Sequence, residues 1–377
     1  MQAPDSQSVD MPGADLPSAR GGKDFGIFMP IANGGWILSS TGPRIDGSYE
    51  YNRRAALLAE EIGLDFIMAM AKYRGYGGHT RHWDIALDST VLMSALAAET
   101  KRVKVWTTFQ TLLHNPAVTA KMIATLDQVS HGRAGLNVVP GAYHDEFAQM
   151  GAWPETLGHD ERYDYAGEWL DAVKRLWSDD HVSLQGRYIT LNDCMSDPKP
   201  VQTPRPFIVA AGQSGRGMEF ATAYTDALFI GGRDDDEMRA ISLRAKDMAA
   251  KAGRRLRTYA MAIIVEGETD AEADAMLATI REGFDEEAFV NMMRAYGVID
   301  AEIGRENSMT ARARSGFIAP HVAGSSETVA ARLQQIIDNA ELDGLMLIFP
   351  DYDTGLRKLA KSVLPALRAR YGATDPA

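Results

Sequence analysis

The stretch Ala210-Ala-Gly-Gln-Ser-Gly-Arg-Gly217 sets Gly212, Ser214, Gly215 and Gly217 between an apolar run and a helical one. Backbone N–H groups at a helix start, a hydroxyl and small residues are what a phosphate group needs. A glycine turn that only packs helix on strand has the same letters, so both readings stand at this point. Arg162-Tyr163 opens another helical run and offers a guanidinium to the same phosphate. Three more polar clusters follow apolar runs: Ile31-Ala-Asn-Gly-Gly-Trp36, a tight turn presenting an indole; the glycine-rich loop Ala71 to Thr80 with Lys72 and Arg74; and Thr107, Thr108, Gln110 and Thr111. Asn137 interrupts a fourth apolar run, where a buried amide needs polar neighbours or a ligand. Each is individually more common as an ordinary loop or a satisfied core residue; their coincidence at consecutive strand ends is the signal.

Conventional proton-transfer and metal sets are missing. There is no G-x-S-x-G elbow and no H-E-x-x-H, and His79 and His82 lack a second ligand pair. Acid pairs such as Glu60-Glu61 and Asp179-Asp180 read as solvated faces or caps. Cys194 is the sole cysteine, so no intrachain disulfide and no cysteine-based metal framework is expected, and it reads as structural. A phosphate site without acid–base machinery points to a cofactor that carries the chemistry.

The elements that must position these groups alternate between strand-like and helix-like runs. Candidate strands are 23–30, 65–70, 103–110, 133–139, 206–211, 227–231, 258–265 and 344–349. Helical patterns follow at 52–63, 89–100, 115–130, 162–177, from about 215, at 236–252, 270–281 and 354–370, with a further amphipathic stretch at 326–340. Eight βα units predict an α/β fold of the closed (β/α)8 TIM-barrel type, with an open doubly wound sheet as the alternative. Insertions at about 141–161 and 284–325 are predicted at the C-terminal face, around a single domain of residues 23–372. Residues 1–22, with Pro4, Pro12, Pro17 and Gly21-Gly22, read as a disordered tail.

The 377 residues carry 39 Lys and Arg against 51 Asp and Glu, a formal charge of −12, which argues against a nucleic-acid partner. No apolar run approaches the roughly 20 residues of a membrane span. One thiol and no export signal favour the cytoplasm.

Seven stretches in order carry a resemblance: FGIFMPIANGGWILS (25–39), DFIMAMAKYRGYGGHTRHWD (65–84), LMSALAAETKRVKV (92–105), ATLDQVSHGRAGLNVV (124–139), EFAQMG (146–151), RYDYAGEW (162–169) and AAGQSGRGM (210–218). On these the chain resembles the bacterial luciferase-like flavin monooxygenases, and within them the branch that acts on pyrimidines. The resemblance implies a (β/α)8 barrel that binds reduced FMN supplied by a separate NAD(P)H-dependent reductase, in a homo-oligomer. It implies flavin contacts at Ala71, Lys72, Asn137 and Glu146, phosphate-end contacts at Arg162, Tyr163 and Ser214, and placement of dioxygen by Thr108 and Asn137.

The implied reaction adds O2 to the reduced flavin as an N5-peroxide. The peroxide attacks C4 of uracil, thymine or a related heterocycle, and the ring opens between N3 and C4. The chain departs from that branch at the substrate wall. Pro140-Gly-Ala142 stands where the branch has Thr-Gly-Trp, and Phe109 and Gln110 replace small residues, which is expected to reshape the cavity. The alternatives are the same chemistry on a different small electrophile, a sulfone or other heteroarene, and a deazaflavin-dependent hydride transfer on the same barrel.

Overall fold

The computed structural model describes residues 22–212, 214–232, 234–296, 316–317 and 319–372. Most of the 1–22 tail and residues 297–315 of the second insertion lie outside the described residues. The strands in chain order are β1 Asp24–Phe28, β2 Phe66–Met68, β3 Lys104–Gln110, β4 Ala134–Val139, the hairpin β5 Val182–Gln185 and β6 Thr190–Cys194, β7 Phe207–Ala210, β8 Ala227–Ile230, β9 Arg257–Glu266, β10 His321–Gly324 and β11 Gly344–Ile348. The helices are α1 Tyr49–Glu61, α2 Ser89–Glu99, α3 Pro116–Ser130, α4 His144–Ala148, α5 His159–Ser178, α6 Gly215–Tyr224, α7 Asp235–Lys251, α8 Asp270–Glu282, α9 Glu286–Ala295, α10 Ser326–Asn339, α11 Tyr352–Lys361 and α12 Val363–Tyr371.

Eight strands close a parallel barrel in the order β1-β2-β3-β4-β7-β8-β9-β11, with β8 on β9 and β11 back on β1. The eight predicted strands are these eight. The open-sheet alternative fails on that closure. β10 adds a ninth parallel strand to the outer half of β9, Ile263–Glu266.

Large and small residues alternate inside the barrel. Phe66 stacks on Trp106 at 4.1 Å, and both lie near Tyr259. Gly26, Gly135 and Gly344 receive these rings; a Cβ at each would come within 2.6 Å of Phe66, Trp106 and Tyr259 respectively. Such interdigitation fills a small barrel. Below the rings, Asp24 takes hydrogen bonds from Arg257 (2.7 Å) and the Tyr259 hydroxyl (2.5 Å). The N-terminal end is therefore plugged, and polar side chains appear one layer higher, at the C-terminal end.

Helix starts follow their caps. Asp88 accepts from Val91 N, and Asn115 accepts from Ala117 N with Pro116 in the first turn. α1 begins at Tyr49 rather than Asn52 because Ser48 caps it. The single helix predicted over 354–370 is two, broken at Ser362. Pro365 cannot donate to the Lys361 carbonyl and its ring opposes that carbonyl. The β5–β6 hairpin, β10, α4 and α9 have no counterpart among the predicted elements. The hairpin turn is held by Glu168 of α5, whose carboxylate accepts the N–H groups of Arg187, Tyr188 and Ile189 at 2.7–3.0 Å.

Lys174 ties α5 to the end of α6, donating to the Tyr224 carbonyl at 2.7 Å. Burial pushes its ammonium down to about 8. Between that value and the unfolded lysine value the unfolded chain binds a proton that the folded chain does not, so stability rises with pH there, by at most about 1.4 kcal/mol per pH unit. Denaturant titrations of wild type and Lys174→Met from pH 7 to 10.5 are expected to show wild type gaining on the variant above pH 8. A pH-independent difference would contradict the burial of this charge. Among the described residues, no helix is long and apolar enough to cross a membrane.

Candidate active site

At the C-terminal ends of β3 and β4, Thr108 and Asn137 are register partners. Strand alternation places Thr108 and Gln110 on the face of Trp106, toward the barrel axis. The Thr107 hydroxyl points outward, to Ser89 and Thr90 of α2. Phe109 also faces outward, edge-on to His114 at 4.9 Å. The expectation that Phe109 reshapes the cavity is thus corrected by strand parity, whereas Gln110 does face the site.

A directional relay fixes the amide of Asn137. Its Nδ2 donates to Thr108 Oγ1 at 2.9 Å, and that hydroxyl donates to the Ala69 carbonyl at 2.6 Å. The Ala69 carbonyl only accepts, so the chain of donors has one direction and the amide one orientation. Asn137 Oδ1 is left buried without a partner among the described residues. An unpaired buried acceptor costs about 1–3 kcal/mol, which a ligand's N–H or O–H relieves.

The loop after β2 and the first insertion meet at an ion pair. Glu146 of α4 accepts from Tyr73 N (2.7 Å), Arg74 N (3.4 Å) and Gln110 Nε2 (3.2 Å), and Lys72 Nζ lies 3.4 Å from it. Both side chains are buried. The ammonium sits over the rings of Tyr76 (4.5 Å) and Tyr143 (4.7 Å). Burial pulls the Lys72 pKa down, and Glu146 opposes that fall. Ala71 is brought to the same corner, its carbonyl 3.5 Å from Gln110 Nε2. Sequence reading missed the Tyr76–Tyr143 aromatic box; the Tyr at each loop was visible, but nothing in a single chain says that two loops 67 residues apart converge.

At the phosphate-type loop, Tyr163 sits against Gly212 and Gly217. A Cβ on either would come within 2.8 Å of its hydroxyl. Those two glycines serve helix-on-strand packing, while Gly215 faces open space. The packing reading thus holds for Gly212 and Gly217, and Gly215 leaves room at the start of α6. Ser214 caps α6 through Gly217 N and also meets the Tyr163 hydroxyl. Burial pushes the Tyr163 phenol up, and the contact to Ser214 acts the other way.

Arg162 does not open α5, which starts at His159, and its guanidinium turns to the first insertion. It donates to Gly141 O (3.3 Å) and Leu157 O (3.2 Å) and lies over Trp153 at 4.8 Å. No contact joins it to Ser214 among the described interactions. Trp36, expected to present an aromatic surface, is buried against Phe28 (4.4 Å) and Trp83 (5.2 Å), where apolar burial outweighs display.

The second insertion closes over the glycine-rich loop. Asp285 accepts from Thr80 N and Oγ1 and caps α9 through Ala288 N; Asn291 donates to Tyr76 O at 2.9 Å. His79 contacts Asp285 at 3.2 Å, but His82 is fully buried with neither ring nitrogen partnered among the described residues. Burial holds His82 down at about 3, so it is neutral at ordinary pH.

A flavin suits this donor set. Asn137 Oδ1 is an acceptor near the axis without a partner among the described residues, and the Ser214–Gly215 start of α6 with the Tyr163 hydroxyl beside it suits a phosphate. An eight-stranded barrel with its polar groups gathered at the C-terminal mouth defines the class: a barrel enzyme acting on a bound ligand. The sequence profile described as luciferase-like monooxygenase matches residues 24–341, and the chain belongs to that family. It is a monooxygenase that works with reduced flavin and dioxygen.

Among its relatives is pyrimidine monooxygenase RutA of Methylorubrum extorquens, 35% identical over 358 residues, covering 93% of this chain and 98% of that protein. RutA of Acinetobacter baylyi is 34% identical, covering 92% of this chain and 95% of its own. Among solved structures, riboflavin lyase (RcaE) superposes with a TM-score of 0.83 at 22% identity over 94% of both chains. The long-chain alkane monooxygenase LadA gives 0.81 at 22% identity over 93% of this chain and 92% of its own. At that identity these two speak to the fold alone.

Proposed function

We propose that the enzyme takes FMN as its flavin and opens the ring of uracil, thymine or a related N-heterocycle between N3 and C4. The observation that carries the reading is the one-way relay Asn137–Thr108–Ala69, which orients Asn137 Oδ1 as an acceptor at the C-terminal end of the barrel. The identity to RutA supplies the substrate class. Ala71, Lys72, Asn137 and Glu146 hold the ring system, and Arg162, Tyr163 and Ser214 the phosphate end. A reduced flavin supplies the electrons that activate dioxygen.

The residues themselves bind, orient and exclude water. Thr108 fixes Asn137, and Asn137 holds a proton-bearing group of the flavin edge through Oδ1. Glu146 holds the 71–74 loop and neutralises Lys72, and the α9 segment over that loop shields the site from solvent. No ionisable side chain is asked to act as acid or base, which agrees with a neutral His82. The reading places the whole site in one barrel domain, residues 23–372, and takes reduced FMN from a separate NAD(P)H-dependent reductase.

The same chemistry on another small electrophile is the second reading, favoured by the departure at the substrate wall, Ala142 being exposed. Purified protein with FMN, a flavin reductase, NADH, air and uracil or thymine is the test, read by mass spectrometry. Consumption of the pyrimidine with a ring-opened product is expected. Intact pyrimidine beside consumed alternative heterocycles transfers the assignment to the second reading, and turnover without oxygen contradicts both.

A further inference from the structure

Gln110 is buried at the last position of β3, two residues beyond Thr108 on the same face. Its Nε2 donates to Glu146 Oε2 at 3.2 Å and reaches the Ala71 carbonyl at 3.5 Å. A carbonyl oxygen only accepts, and so does an ionised carboxylate. A flipped amide would set oxygen against oxygen at both, so the orientation is determined by the network. Oε1 is thereby turned away from both acceptors, and it is buried without a partner among the described residues.

Asn137 Oδ1 is in the same condition one layer lower. Two residues along a strand span about 6.6–7 Å, so two oriented acceptors stand one above the other, the upper nearer the mouth from which substrate arrives. His82 is likewise buried, but it lies in the second loop beside Gly34 and Trp83, and no network among the described residues fixes its tautomer.

We infer that Gln110 is a specificity-determining residue whose Oε1 accepts a hydrogen bond from a ring N–H of the substrate, so that the enzyme selects N–H heterocycles over their N-alkylated forms. This deepens the proposed function and rests on its assignment of the lower acceptor to the flavin. A site built to accept a hydrogen bond rejects a ligand that lacks the donor, because the buried acceptor is then left unpaired beside a methyl group. The Glu146–Lys72 pair behind Gln110 holds the amide rigid, which makes the discrimination geometric as well as energetic.

The test is equilibrium titration of FMN-loaded wild type and Gln110→Met with matched pairs: uracil against 1,3-dimethyluracil, and 2-pyridone against N-methyl-2-pyridone. Methionine keeps the length of the side chain and removes both hydrogen-bonding groups. Wild type is expected to bind the N–H member of a pair at least about tenfold more tightly. Gln110→Met is expected to erase that preference with FMN affinity unchanged within about twofold, since Glu146 keeps its backbone donors.

Preference within the pyridone pair alone supports the role of Gln110 and fails the pyrimidine reading. Preference within the uracil pair supports both. Equal affinity within both pairs for wild type, binding of none of the four, or a preference that survives in Gln110→Met overturns the inference. Loss of FMN in Gln110→Met also overturns it, because the residue would then serve the cofactor.

Discussion

Asn137→Ala is expected to lower coupled product formation about 100-fold or more, the scale on which removal of one preorganised hydrogen-bonding group acts at a reaction centre. Its Oδ1 is the oriented acceptor, and its Nδ2 is the donor that holds Thr108. The alanine variant removes both at once. The barrel should survive, because the position lies above the Phe66–Trp106–Tyr259 layer and removes no packed ring. FMN affinity is expected to fall by no more than about tenfold, the worth of one or two hydrogen bonds.

Reduced flavin consumption should continue while hydrogen peroxide replaces product. Thr108→Val, which removes the relay's middle hydroxyl but leaves the amide, is expected to show the same uncoupling more mildly. Simultaneous assay of flavin oxidation, peroxide and product decides it. Coupled turnover at the wild-type rate in Asn137→Ala would remove the residue from the site.

Glu146→Ala should be the most disruptive single change at the mouth. The carboxylate answers Lys72, two backbone N–H groups and Gln110. Leaving one member of a buried ion pair alone costs about 3–5 kcal/mol. The glycine-rich loop can relieve that cost by opening, so the effect is expected locally. Amides of residues 71–84 should lose hydrogen-exchange protection, and FMN should bind about 100-fold or more weakly if the loop closes on it.

The sign of the pH dependence follows from Lys72. Its folded pKa already lies below the ordinary lysine value through burial, with Glu146 holding it up. Without Glu146 it falls further, so the variant's loop should recover protection as pH rises from the folded pKa toward the unfolded one, where the ammonium is lost. Glu146→Gln, which keeps an acceptor without the charge, should lie between. Unchanged protection in Glu146→Ala would show that the pair does not hold the loop.

Much of this was legible in the sequence because strands buried on both faces write themselves as continuous apolar runs. Ala227–Ile230 and Gly344–Ile348 are of this kind. Asn137 stood out because an amide inside such a run has to be explained. What stayed hidden depends on distance in space. The β5–β6 hairpin is amphipathic and short, and the clamp that makes its turn, Glu168, lies 19–21 residues earlier on α5.

Phe109 and Gln110 are adjacent letters, and only the strand's parity, set by Trp106 against Phe66, says which of them sees the site. Arg162 and Tyr163 are adjacent too, and the helix sends one to the first insertion and the other to the Ser214 loop.

The most direct test of the central assignment is the fate of labelled dioxygen. Wild-type enzyme with reduced FMN, uracil and 18O2 in ordinary water should give a ring-opened product carrying 18O at the carbon that was C4. A ring-opened product whose new oxygen comes from water would mean hydrolysis, and would contradict the oxygenase assignment at this site.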